Sequence, residues 1–179
     1  MRKDAAQRRD ALREAAAAEF AERGIDVPLD AIADRAGVGR ATLYRNFADR
    51  NELVLAVFAG LVDDLGEQMR QTTGPDAFFD FVHELSDLLL RNIALSAALR
   101  QTRSRGALLK LRQKIITAGT SALSLSQAAG TVRADLGPGD IRILTALLGA
   151  GLETADPAER EAISRRTRAL VLDGLRTRS

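Results

Sequence analysis

The sequence has no cysteine, no tryptophan, a single histidine, four prolines and only seven aromatic residues. Without cysteine there is no disulfide scaffold, no thiolate metal site and no cysteine nucleophile. One histidine, His83, cannot build a histidine-rich metal site from one chain. The longest apolar stretch runs from Ile143 to Leu152, contains Thr145, and is far shorter than the ~20 residues of a membrane-spanning helix. The opening Met1-Arg2-Lys3-Asp4 leads into an Ala/Glu/Arg segment that lacks the apolar core of a secretion signal. There is no G-x-x-x-x-G-K phosphate loop and no nucleophile elbow. The adjacent Asp63 and Asp64, with Glu67, would diverge on a helix and read as a solvated face rather than paired acid/base carboxylates. These absences lead us to expect a soluble, cytoplasmic protein without membrane partner, metal, cofactor or enzymatic activity.

What is abundant is Ala (31), Leu (26) and Arg (23) among 179 residues. These are strong helix formers, and β-branched and aromatic residues are scarce, so the fold class expected is all-α. The net charge of +2 is too small to argue for nucleic-acid binding by itself. Its distribution is more informative. Residues 51–100 carry −5, residues 101–179 carry +6, and the segment from Arg35 to Arg50 holds four Arg against one acid, Asp49. The excess of Arg over Lys, 23 to 3, fits either phosphate recognition or GC-rich codon usage.

Apolar spacing predicts about nine helices. They cover Asp4 to Arg23, Leu29 to Ala36, Arg40 to Phe47, a segment restarting at Asp49 and reaching Gln71, Asp76 to Asn92, Ser96 to Thr102, Ser104 to Ala129, Pro138 to Ala155, and Pro157 to about Arg176. Asp49 and Glu52 have capping-box spacing. Two short helices joined at Gly37-Val38-Gly39 have the shape of a helix-turn-helix, with Ile32, Ala33, Ala36, Gly37, Val38, Leu43 and Phe47 as its frame. With Leu43 and Phe47 inward, Ala41, Thr42 and Arg45 point outward, Tyr44 lies to one side and Arg40 projects from the first turn. That acid-free face suits a major groove: Arg40 or Arg45 for a guanine edge, Thr42 for a thymine methyl or a phosphate, Tyr44 for a phosphate. Arg50 would add its charge at the start of the next helix. From periodicity alone, a plain helical hairpin with a solvated arginine face accounts for the segment equally well.

The run Ile32-Ala33-Asp34-Arg35-Ala36-Gly37-Val38-Gly39-Arg40-Ala41-Thr42-Leu43-Tyr44-Arg45-Asn46-Phe47, followed by Glu52-Leu53, resembles the signature of the TetR family of bacterial transcriptional repressors. The resemblance covers about residues 8–58. It implies that Arg40, Ala41, Thr42, Tyr44, Arg45 and Asn46 face DNA and that Arg50 stands where a phosphate-binding Lys is usual. Two departures are Gly39 in place of a capping Ser and Pro28 in place of a Thr or Ser. The resemblance further implies a DNA-binding domain at 1–48 and an effector-binding and dimerisation domain at 49–179. A homodimer, paired through its last two helices, would read a palindromic operator in double-stranded DNA, and a small molecule would release it.

Apolar stripes fit such pairing, with Leu144, Leu148, Gly151, Leu152, Ile163, Leu170 and Val171 as the expected interface; packing within the monomer is the alternative. Phe58, Phe78, Phe79 and Phe81, with His83 close by, would line a pocket for an apolar or aromatic effector. Read as plain core, the same residues leave an effector-independent regulator. A helical enzyme or ligand carrier is a more distant alternative. The basic cluster Arg100, Arg103, Arg105, Lys110, Arg112 and Lys114 reads as solvated helix surface facing the acidic stretch around Asp63.

Overall fold

A computed structural model of the chain describes residues 2–102, 104–152 and 156–177. Among these residues there are nine helices: α1 (Arg2–Arg23), α2 (Leu29–Arg35), α3 (Arg40–Asn46), α4 (Arg50–Gln71), α5 (Ala77–Arg91), α6 (Ile93–Gln101), α7 (Arg105–Ala128), α8 (Pro138–Gly149) and α9 (Pro157–Leu175). The one extended pairing in the described residues is an isolated antiparallel bridge between Val132 and Arg176. The fold is therefore all-α, and none of its helices is long and apolar enough to cross a membrane.

Two compact units divide the chain. The first takes residues 1–60 together with 94–105. Leu12, Ala16 and Phe20 of α1, Ile32 of α2, Leu43 of α3, Phe47, and Leu53 and Phe58 of α4 are buried there. α2 and α3 are seven residues each, far too short to persist alone, so their helicity rests on this shared core.

The second unit takes residues 61–93 with 106–179. Its α5, α8 and α9 pack against one another. Phe78 and Phe81 stack with ring centroids 5.8 Å apart, and both are fully buried. Phe81 presses directly on α7: a Cβ added to Gly119 would lie 2.6 Å from its Cε1. Two polar contacts close this interior. The amide of Phe78 donates to Ser126 Oγ at 2.9 Å, so α7 supplies a partner for the first turn of α5 that Asp76 does not. Ser86 and Ser164 pair their hydroxyls at 3.3 Å between α5 and α9. The chain end is strapped back: Arg133 N donates to the Leu175 carbonyl at 3.0 Å, and the Arg176 guanidinium lies 4.9 Å from the Phe79 ring centre.

Three expectations change. α8 stops at Gly149, because Ala150 turns extended (φ −65, ψ 133) and Gly151 is left-handed (φ +77); the expected end, Ala155, lies outside the described residues. Gly151 is thus a turn residue, and it also lies close to α9, since an added Cβ would stand 3.2 Å from Ile163 Cγ2. The residues expected at the interface also divide by exposure. Leu144, Leu148, Leu152 and Val171 are buried inside the single chain, whereas Ile143, Leu147 and Leu170 are 51%, 47% and 56% exposed. On α9, Ile163 is half-buried, and with Thr167, Leu170 and Gly174 it forms one stripe at helical spacing. Finally, His83 is exposed while Phe78 and Phe81 are buried on the same helix. The imidazole lies 200° round α5 from Phe81 and does not join those rings. Phe58 belongs to the first unit.

Of the basic cluster on α6 and α7, Lys114 reaches both carboxylate oxygens of Asp63 at 2.6 Å. Arg103 lies outside the described residues.

Candidate nucleic-acid interface

The turn between α2 and α3 is built by backbone bonding. Val38 N donates to the Ala33 carbonyl and Gly37 N to the Asp34 carbonyl, both at 3.0 Å, the paired pattern of a Schellman ending. That ending requires a left-handed residue, and Gly37 supplies it at φ +67. α3 then begins without a side-chain cap, since Gly39 is extended and bears no hydroxyl. Thr42 N and Leu43 N instead bond the Gly39 carbonyl at 2.8 and 3.3 Å. Pro28 likewise caps α2 without a side-chain bond.

The frame residues Ile32, Ala33, Leu43 and Phe47 are buried, and Ala36 and Val38 are half-buried. This burial turns Arg40, Ala41, Tyr44 and Arg45 to solvent, with Thr42 and Asn46 half-buried at the edge of the same surface. The outward side chains are ordered among themselves. Arg45 Nη2 donates to Thr42 Oγ1 at 3.0 Å, and Asn46 Nδ2 donates to the Thr42 carbonyl at 2.8 Å. The Arg40 guanidinium meets Asp30 of α2 at 3.1 Å and lies 5.7 Å from the Tyr44 ring centre.

Several arginines of the segment are committed to the frame. Arg35 grips Glu22 through two bonds of 2.7 Å and reaches Glu19 at 3.2 Å. Those bonds hold the Glu22 carboxyl below the usual carboxylate range. Glu19 is buried and also accepts from Arg23 at 3.1 Å, so two guanidinium groups compensate one carboxylate taken out of water. Arg50, half-buried, donates to the Ile25 carbonyl. The excess of positive charge between 35 and 50 therefore overstates what is available to a ligand: Arg35 and Arg50 are turned to the protein.

Arg9 is the residue whose part here the sequence did not disclose. From α1 it donates to the Asn46 carbonyl at the end of α3, lies 4.2 Å from the Phe47 ring centre and pairs with Glu52 at 3.4 Å. Glu52 in turn accepts from Ala48 N at 2.9 Å and donates its own amide to Asp49 Oδ1 at 2.8 Å. The capping spacing thus forms a working α4 start, and Arg9 ties that start to the end of α3. Its partners are 37 to 43 residues away, so no local pattern announces them.

The comparisons with known proteins agree with this geometry. Residues 12–57 match the family model for bacterial regulatory proteins of the TetR family. Residues 74–177, more than half the chain, match the model for the C-terminal domain of SbtR-like transcriptional regulators. A TetR transcriptional regulator, SCO0520 of Streptomyces coelicolor, is 31% identical with a TM-score of 0.66, covering 96% of this chain and 99% of its own. A TetR regulatory protein of Mycobacterium vanbaalenii is 32% identical with a TM-score of 0.66, covering 98% and 99%. The HTH-type transcriptional activator FasR of Mycolicibacterium smegmatis is 38% identical over 89 residues, 42% of this chain and 41% of its own length. The chain thus spans about two fifths of that curated relative. A helix-turn-helix frame inside a full-length match of sequence and fold settles the kinship: the chain belongs to the TetR family of DNA-binding transcriptional regulators.

Proposed function

We propose that this regulator is a homodimeric repressor that reads a palindromic operator with α3 and is released by a small apolar or aromatic effector. The observation that carries the reading is the outward face of α3, where Arg40, Ala41, Tyr44 and Arg45 are exposed beside Thr42 and Asn46 and no acid interrupts them. Arg45, steadied by Thr42, is the candidate for a bidentate guanine contact. Arg50 serves the phosphate backbone less directly than the family pattern implies, through the α4 start that it anchors to Ile25.

The division of labour places DNA binding in residues 1–48 and effector binding and dimerisation in 49–179. Two copies pair through the exposed apolar faces of α8 and α9, at Ile143, Leu147 and Leu170 with Ile163 alongside. A symmetric pair presents two copies of α3 to half-sites related by the same two-fold axis. The effector sits at the Phe78–Phe81 stack, where entry requires the Phe81 ring to leave Gly119; that displacement is the differential contact by which a ligand shifts the population to a DNA-incompetent state. The protein works in the cytoplasm, beside the DNA that it reads.

The tight seat of Phe81 on Gly119 also favours a second reading, a regulator whose interior is filled and which answers to no small molecule. FasR, named an activator, favours activation as the alternative sign of control. A reporter gene placed behind the recovered operator decides both points. Repression is expected to be relieved by a screen of small aromatic compounds in the presence of the intact protein. A reporter that rises when the protein is supplied makes it an activator, and one that ignores every compound favours the filled interior.

A further inference from the structure

The Arg40–Asp30 pair joins the first turn of the reading helix to α2, and stability alone is a poor reason for it. Both side chains are more than half exposed, and exposed ion pairs contribute little to folding. The position of the pair is unusual for a DNA-binding surface, since a carboxylate beside the reading helix repels phosphates on any duplex. Arg40 carries five N–H donors. Asp30 engages one edge through Nη1 at 3.1 Å, and the Tyr44 ring covers the guanidinium at 5.7 Å. The N–H groups not turned to Asp30 or Tyr44 keep their directional bonding, while the carboxylate offsets part of the charge of the group.

We propose that Asp30 is a specificity-determining positioning residue: by pairing with Arg40 it subtracts from sequence-independent attraction to DNA and leaves Arg40 to act through directed hydrogen bonds. The inference rests on the DNA-reading role of α3 proposed above. Sequence-independent binding scales with the phosphates that cations neutralise, whereas base recognition depends on the geometry of the bonds. A carboxylate within a Debye length, ~8 Å at physiological salt, therefore weakens binding to every duplex, and only where the positioned Arg40 bonds a base edge is part of that loss returned. With Arg35 held by Glu19 and Glu22, the surface around α3 binds DNA with little surplus charge.

The test uses the full chain and two duplexes of equal length and composition, one recovered by the wild type from a randomised library and one scrambled. Affinities of wild type, Asp30→Asn and Asp30→Glu are measured by fluorescence anisotropy from ~50 to ~200 mM salt. Asp30→Asn is expected to bind the scrambled duplex about threefold to tenfold more tightly and the operator by less than about twofold, with a steeper salt dependence on the scrambled duplex. Asp30→Glu, which keeps the carboxylate, is expected to stay close to wild type. Equal tightening on both duplexes, or unchanged scrambled binding, overturns the inference while leaving the DNA-reading role intact. A wild type that recovers no operator from the library overturns that role and the inference with it.

Discussion

The two compact units are held together by different chemistry. The first has an apolar core laced round by guanidinium groups: Arg9 over Phe47, Arg23 and Arg35 on Glu19, Arg35 on Glu22, Arg50 on Ile25. The second is closed by stacked phenylalanines, a glycine beneath one of them and two buried serine contacts. In the first unit short helices that could not stand alone rest on the shared apolar core, and the arginines tie their ends together from outside. In the second unit pose is set from inside, by shape.

The contrast is sharpest on α8, where neighbouring leucines have opposite surroundings. Leu148→Asp puts a charge into a site 1% exposed, and the expected result is loss of the folded second unit, read as lost cooperativity in urea unfolding. Leu147→Asp, one position along on the exposed face, is expected to give a soluble monomer with wild-type circular dichroism, read by light scattering. A Leu147→Asp protein of unchanged dimer mass would move the interface elsewhere.

Next in size are two truncations of comparable cost. Phe47→Ala and Phe81→Ala should each destabilise by ~3–5 kcal/mol, since both rings are fully buried. Their consequences separate. Phe47→Ala removes the ring under Arg9 and with it the seat of α3, so operator capture is expected to disappear under conditions where Phe81→Ala still binds. If Phe81→Ala loses operator binding equally, the two units are not energetically distinct.

The smallest effect concerns acid. Glu22 titrates below its ordinary value of 4.5 because Arg35 bonds and attracts its charged form. A lowered carboxyl contributes stability above 4.5 that is lost as the pH falls through the lower folded value. Glu22→Gln should therefore unfold more readily than wild type at neutral pH, and the gap should close in strong acid. A gap independent of pH would assign the loss to packing instead.

How much of this was legible in the sequence follows the same divide. The reading head was legible because its parts demand particular residues: a glycine for the left-handed turn at Gly37, apolar anchors at Leu43 and Phe47, an Asp49–Glu52 start for α4. The helix count also followed from periodicity. The exposed edge of α8 did not, because a broad apolar stripe does not say which side faces its own chain. Leu147 and Leu148 differ by one residue, 100° of rotation, and only the packing of α5 and α9 on α8 decides between them. The exposure of His83, two residues from the buried Phe81, depends on the same packing. The arginines were counted correctly in sequence but not assigned, since Arg9 and Arg35 find partners on other helices.

Whether the outward face of α3 reads bases is decided by selection from a randomised duplex library, with wild type and Arg45→Ala run side by side. The wild type is expected to enrich a palindrome with half-sites about one helical turn, ~10 base pairs, or a multiple of it apart. Arg45→Ala, with unchanged circular dichroism, is expected to lose preference at one position in each half-site at a cost of ~1–3 kcal/mol. Identical enriched sequences from the two proteins, or no palindrome from the wild type, would contradict base reading by α3.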